Sequence, residues 1–149
     1  MAKVLGIDLG TANTLVYIRE RGMRRGDKSI SWLAYVVSRL LDIKPIIRAH
    51  RNETVTIAKV RQHSKAVEKL FRHGAERIRK GLLVPMVGVS YSGEPAAVLS
   101  MPGYAELAAA ASEKKVELML SMMAPAGAVN IGAGAVTLAY CAADAGEFS

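Results

Sequence analysis

Cysteine is nearly absent: Cys141 stands alone in 149 residues, so no internal disulfide can form, which fits a reducing cytosol. Aromatic residues make up only 5% of the chain. Phe71 is the one aromatic inside the basic stretch 59–80, so that stretch lacks the interleaved rings on which nucleic-acid bases stack. Acids are scarce, 13 against 20 Lys and Arg, leaving a formal charge of +7. Long uncharged runs are also missing, except for Leu118–Ala143. Glycines, Pro125 and Asn130 break that run, which is expected to be buried helix and strand rather than a membrane span. The early apolar run Val4–Leu9 is interrupted by Asp8 and is too short for a signal-peptide core. What is present is enough apolar material, 51%, to build a core, in a chain of single-domain length.

Val4–Leu9 and Thr14–Arg19 are strand-like runs around the tight turn Gly10–Asn13, and Glu20–Lys28 reads as a charged hairpin loop. Ser29–Val37 suits a strand or the start of a helix, and Pro45 is expected to end that element. Thr54–Ile57 alternates as a short strand does. The clearest helix covers Lys59–Arg79, with Val60, Val67, Leu70, Phe71 and Ile78 on one stripe, Lys and Arg opposite, and Gly81 as the stop. Leu82–Val89 reads as a buried strand and Tyr104–Leu120 as mostly helix. Ala128–Ile131 and Val136–Tyr140 read as strands around a Gly-Ala-Gly turn.

The two strand–glycine turns carry the chemistry. A turn of small residues lets backbone N–H groups approach phosphate oxygens. Gly10, Thr11, Ala12, Asn13 and Thr14 form one such turn, with hydroxyl and amide side chains as extra donors; Gly132, Ala133 and Gly134 form the other. Asp8 is an anion and suits Mg²⁺, held through water, rather than phosphate. An ordinary hairpin with a surface aspartate is the lesser alternative for the first turn.

The string Gly6-Ile7-Asp8-Leu9-Gly10-Thr11-Ala12-Asn13-Thr14-Leu15-Val16-Tyr17 resembles the first phosphate loop of the MreB-like bacterial actin homologues. Weaker likenesses follow in order: Ile47-Arg48 with Arg51-Asn52, the helix Val60–Ile78, Val87–Ser90, Ala105–Leu118, and Val129–Gly134 as a second phosphate loop. The resemblance implies an α/β fold of the ribonuclease-H-like, actin-ATPase kind, a mixed sheet flanked by helices, with residues 1–149 as a single subdomain of a longer form. It implies ATP and Mg²⁺ as cofactors, self-association into filaments, and a role in cell shape. It also implies a cytoplasmic location, peripheral at the inner face of the membrane. The acid of the second loop is replaced by Asn130, and no carboxylate lies near Leu120–Met122, so no catalytic residue is assigned and hydrolysis is expected to be impaired. Another alignment puts Ile131–Gly134 at the end of a family helix and removes the second loop.

Leu82-Leu83 follows Arg77, Arg79, Lys80 and Gly81; an apolar pair beside a basic cluster suits weak attachment to anionic lipid, against the somewhat favoured reading of a plain buried strand start. The rival reading of the Lys59–Lys80 helix is a nucleic-acid-binding face, and a third is a structural fragment without activity. His50, His63 and His73 share no metal-ligand spacing with Cys141. Met119, Met122 and Met123 suit a core better than a groove, Ser90 and Ser92 lack a nucleophile-elbow pattern, and Glu106, Glu113 and Glu117 read as a solvated face.

Overall fold

The computed structural model describes residues 9–10, 43–50, 53–143 and 147–148. The expected elements between 11 and 42, Asp8, and the Thr11–Thr14 turn lie outside the described residues. Within them the architecture is mixed α/β. One antiparallel sheet has the order β1-β2-β3, with β1 Leu9–Gly10, β2 Ile43–His50 and β3 Glu53–Arg61. The second has the order β5-β4-β6, with β4 Met86–Tyr91, β5 Glu117–Met122 and β6 Val136–Tyr140. It is mixed, since β4 runs parallel to β5 and antiparallel to β6. The helices are α1 His63–Lys80, α2 Tyr104–Lys114 and α3 Pro125–Ile131, with a 3-10 turn at Pro95–Ser100.

Several boundaries differ from the sequence expectation for physical reasons. Pro45 sits inside β2, paired with Lys59 of β3, rather than ending an element. Lys59–Arg61 finish a strand rather than begin a helix, because the β-branched run from Thr54 to Val60 pairs along Ile43–His50. Gln62, at φ 69°, breaks the extended chain and α1 starts at His63. Lys115 adopts a left-handed conformation (φ 54°) and ends α2, so Glu117–Met122 pairs with β4 instead of extending the helix. Ala128–Ile131 is the end of a helix started by Pro125, not a strand. Val136–Tyr140 is a strand with the bounds expected.

The core joins these pieces. Val87 and Val89 of β4 and Val136, Leu138 and Tyr140 of β6 point to one face of their sheet, where they meet Val67, Leu70, Phe71 and Ile78 of α1 and Leu107, Ala110 and Ala111 of α2. Each fully buried large side chain contributes roughly 1.5–3 kcal/mol against leaving it in water. The helices cross closely because Gly74 lies under Leu138 and Leu107, where an added Cβ would sit 2.8 and 3.0 Å from their methyl groups. Phe71 meets Tyr104 edge-on, centroids 5.9 Å apart.

The basic face of α1 is thinner than its sequence suggests. Arg77 is buried. Arg72 and Arg79 both reach Glu106 of α2, at 3.4 and 3.1 Å, and Arg72 also pairs with Glu68 at 3.0 Å. Glu106 therefore links the two helices rather than standing as a solvated acid. Replacing it with glutamine is expected to cost at most about 1 kcal/mol, because these side chains are substantially exposed. Thermal melts of the wild type and the variant should converge as salt is raised; a difference that persists at high ionic strength would argue against a charge effect.

Candidate functional site

The carboxyl ends of β4 and β5 and the start of β6 converge with the start of α1. Gly132 and Gly134 take positive φ values, 102° and 77°, which turn the chain from α3 into β6. The Gly134 N–H donates to the Ser92 carbonyl at 3.0 Å, and the Ser92 N–H donates to the Ala135 carbonyl at 2.9 Å. His63, the first residue of α1, donates from Nε2 to the Gly134 carbonyl at 2.8 Å. That bond uses the Nε2 hydrogen, so in the neutral ring Nδ1 is an acceptor. Just behind, within the sheet, the Ser90 and Thr137 hydroxyls bond to each other at 2.6 Å.

The electrostatics of this corner favour an anion. The first N–H groups of a helix have no partner within it and carry its positive dipole end. Gln62 makes no side-chain cap, the first turn of α1 holds no acid, and exposed Arg61 and Lys65 flank it. On the apolar side, Met122 at the end of β5 is 69% exposed and Met119 49%, while Met123 beside them is buried with its N–H bonded to the Tyr91 carbonyl. Core filling therefore accounts for Met123 and not for the other two.

Of the residues expected to bind phosphate, Gly132, Ala133 and Gly134 form a real turn at this corner. Their geometry serves the turn itself: the Gly132 N–H is bonded to the Ala128 carbonyl and the Gly134 N–H to Ser92. Gly10 lies in β1, opposite Ile47 of β2. Asp8, Thr11, Ala12, Asn13 and Thr14 lie outside the described residues. Among the described residues, no three His, Cys, Asp or Glu side chains gather as a metal site. His63 is the residue that sequence reasoning passed over. Its place at a helix start was hidden, because the sequence reads as helix from Lys59 onward whereas β3 runs to Arg61.

A second histidine is buried for structural reasons. His73 Nε2 shares a 2.9 Å hydrogen bond with the Tyr140 hydroxyl, Phe148 lies 5.0 Å from its ring, and its Nδ1 has no hydrogen-bond partner. Burial, reinforced by Arg77, Lys80 and Arg48, lowers its pKa from 6.5 to about 4, so it is neutral at physiological pH.

Comparison with known proteins decides the family. Residues 9–143 match the model described as an uncharacterised protein of the DegV family. The chain belongs to the DegV family. It is 41% identical over 128 residues to a DegV domain-containing protein of Xanthomonas campestris pv. campestris, covering 86% of this chain and 41% of that protein. A fatty acid binding DegV family protein from Streptococcus agalactiae superposes with a TM-score of 0.64 at 19% identity, over 93% of this chain and 45% of that one. A stearic acid-binding protein from Eubacterium ventriosum gives 0.60 at 15% identity, over 92% of this chain and 44% of that one. The chain thus spans less than half the length of these relatives.

DegV membership overturns the MreB-like assignment, and with it the cytoskeletal, cell-shape function and the ATP and Mg²⁺ that the assignment implied. The likeness rested on a short glycine-turn string, most of it outside the described residues. A strand entering a turn of small residues is a common solution of backbone geometry, and the Gly132–Gly134 turn of this DegV chain needs its glycines for positive φ. No helix among the described residues is long and apolar enough to cross a membrane.

Proposed function

We propose that this DegV chain takes part in binding a long-chain fatty acid and holds its carboxylate at the α1 N-terminus. The observation that carries the reading is the His63–Gly134 hydrogen bond, which brings an uncapped, acid-free helix start against the glycine turn at the carboxyl ends of β4 and β5. Crevices at the carboxyl ends of parallel strands are where α/β sheets commonly take ligands. A carboxylate there meets the first N–H donors of α1 and two flanking cations, Arg61 and Lys65. The exposed thioethers of Met119 and Met122 offer an adaptable surface to an alkyl chain. The fatty-acid ligands of the S. agalactiae and E. ventriosum proteins support the ligand class.

For the fold beyond α/β, those same neighbours support a DegV domain in place of the ribonuclease-H-like form. Residues 1–149 are taken as one unit, since a single core runs from Ile46 to Tyr140. Binding needs no catalytic group, and filament formation goes with the actin-like reading that suggested it.

The test is titration with stearate or a fluorescent fatty acid at neutral pH. A neutral hydrogen bond contributes about 0.5–1.5 kcal/mol, so His63→Ala, which unties the Gly134 turn from the helix start, is expected to weaken binding about 2- to 10-fold. His63→Gln, which keeps a donor to Gly134, should lose less. Equal affinity in all three proteins would remove the carboxylate from this corner.

A further inference from the structure

The other end of the β5-β4-β6 sheet carries a feature that fatty-acid binding does not use. The loop from Gly81 to Pro85 is drawn onto it by two hydrogen bonds: the Leu83 N–H donates to the Cys141 carbonyl, and the Glu117 N–H donates to the Pro85 carbonyl, both at 2.9 Å. Leu82 turns inward and packs against the core. Leu83 does the opposite and is 66% exposed, with Val84 and Met86 beside it at 38% and 39%. Around this apolar tip stand cations from two helix ends: Arg79 and Lys80 from the last turn of α1, Lys114 and Lys115 from the end of α2. Among the described residues, Glu113, paired with Lys114 at 3.6 Å, and Glu117 at the start of β5 are the acids nearby; Arg79 is tied to Glu106. Lys80 and Lys115 are exposed.

We propose that this tip is a docking surface for an anionic lipid bilayer. Apolar side chains projecting beyond a ring of lysines and arginines match the two layers such a surface offers, acyl chains beneath negative headgroups. Leu83 is the most exposed apolar side chain of the loop, and the cations belong to the helix ends that flank it. A nucleic acid would use the cations and gain nothing from Leu83, Val84 and Met86. The tip lies at the amino ends of β4 and β5, a strand length of about 20 Å from the candidate carboxylate site. The proposal rests on no part of the fatty-acid reading. If both hold, one end of the sheet meets the bilayer while the other holds its ligand.

The test is co-sedimentation of the full chain with vesicles of mixed phosphatidylglycerol and phosphatidylcholine, and with pure phosphatidylcholine vesicles. The wild type is expected to sediment with the anionic vesicles and to be released at raised ionic strength. Leu83→Ser/Val84→Ser should weaken that partitioning about tenfold or more, and Lys80→Glu/Lys115→Glu should abolish it. Circular dichroism melts establish that both variants are folded, and titration of each with stearate reads the fatty-acid site separately. Equal sedimentation of the wild type and the serine variant overturns the proposal. So does a wild type that ignores anionic vesicles yet binds single-stranded RNA, which would make the tip a nucleic-acid face.

Discussion

Gly103→Ala is expected to destabilise the fold by about 2–5 kcal/mol. Two costs combine there. Gly103 has φ +84°, a conformation that costs an L-residue roughly 1–2 kcal/mol. An added Cβ would also lie 2.9 Å from the carbonyl oxygen and 3.1 Å from the Cα of Glu68, which are backbone atoms of α1 with no rotamer to yield. Overpacking of that kind costs about 1–3 kcal/mol. Gly81→Ala has no such clash, since nothing lies within 4 Å, but φ +108° with ψ 137° is still less open to an L-residue, so its cost is wholly conformational. Urea unfolding measures both losses. If Gly103→Ala costs no more than the roughly 1–2 kcal/mol of its backbone conformation, the close approach of the α2 start to α1 is not what makes glycine necessary.

The second large effect is acid destabilisation through His73. Its folded pKa is lowered to about 4 from 6.5. As pH falls below about 6.5 the unfolded chain takes up a proton that the native ring, held among Arg77, Lys80 and Arg48, refuses until about pH 4. The stability this group contributes is therefore complete above pH 6.5, is lost through the window down to about pH 4, and does not change further below it. At ~1.4 kcal/mol per pH unit the loss is at most about 3 kcal/mol. Urea unfolding measured across this window should show that loss in the wild type and not in His73→Gln, which keeps a polar partner for the Tyr140 hydroxyl without titrating. Parallel pH dependences in the two proteins would place the acid lability elsewhere.

How much of this was legible in the sequence depended on whether a signal was local. Val67, Leu70, Phe71 and Ile78 reveal α1 because their spacing is helical and all four are buried as that spacing demands. Val136–Tyr140 reads as a strand from alternation alone, and Val136, Leu138 and Tyr140 are the residues that face the core. β5 was hidden because Glu, Leu and Met favour helices in isolation; the ladder with β4 makes it a strand, and that partner is distant in sequence. The turn at Gly132–Gly134 was visible as a turn, but its purpose was not. A turn of small residues suggests phosphate, whereas two of the N–H groups concerned are used by Ala128 and Ser92. His63 gains meaning only from Gly134, which no spacing rule connects to it. The exposure of Leu83 was half anticipated: of the expected pair, Leu82 went inward.

The place of β6 has a consequence for how the protein is made. Synthesis delivers the chain from its amino end, and α1, β4, α2 and β5 all precede Val136. Yet β6 supplies Val136, Leu138 and Tyr140, the side chains against which α1 and β4 close, and Leu138 lies beneath Gly74. The nascent chain must therefore carry its apolar helix stripe and an open β4 edge until nearly the last residues of this region have emerged. The β2–β3 hairpin, whose strands are neighbours in sequence, has no such wait. That interval is when the growing polypeptide is most exposed to misassociation, and most in need of a chaperone.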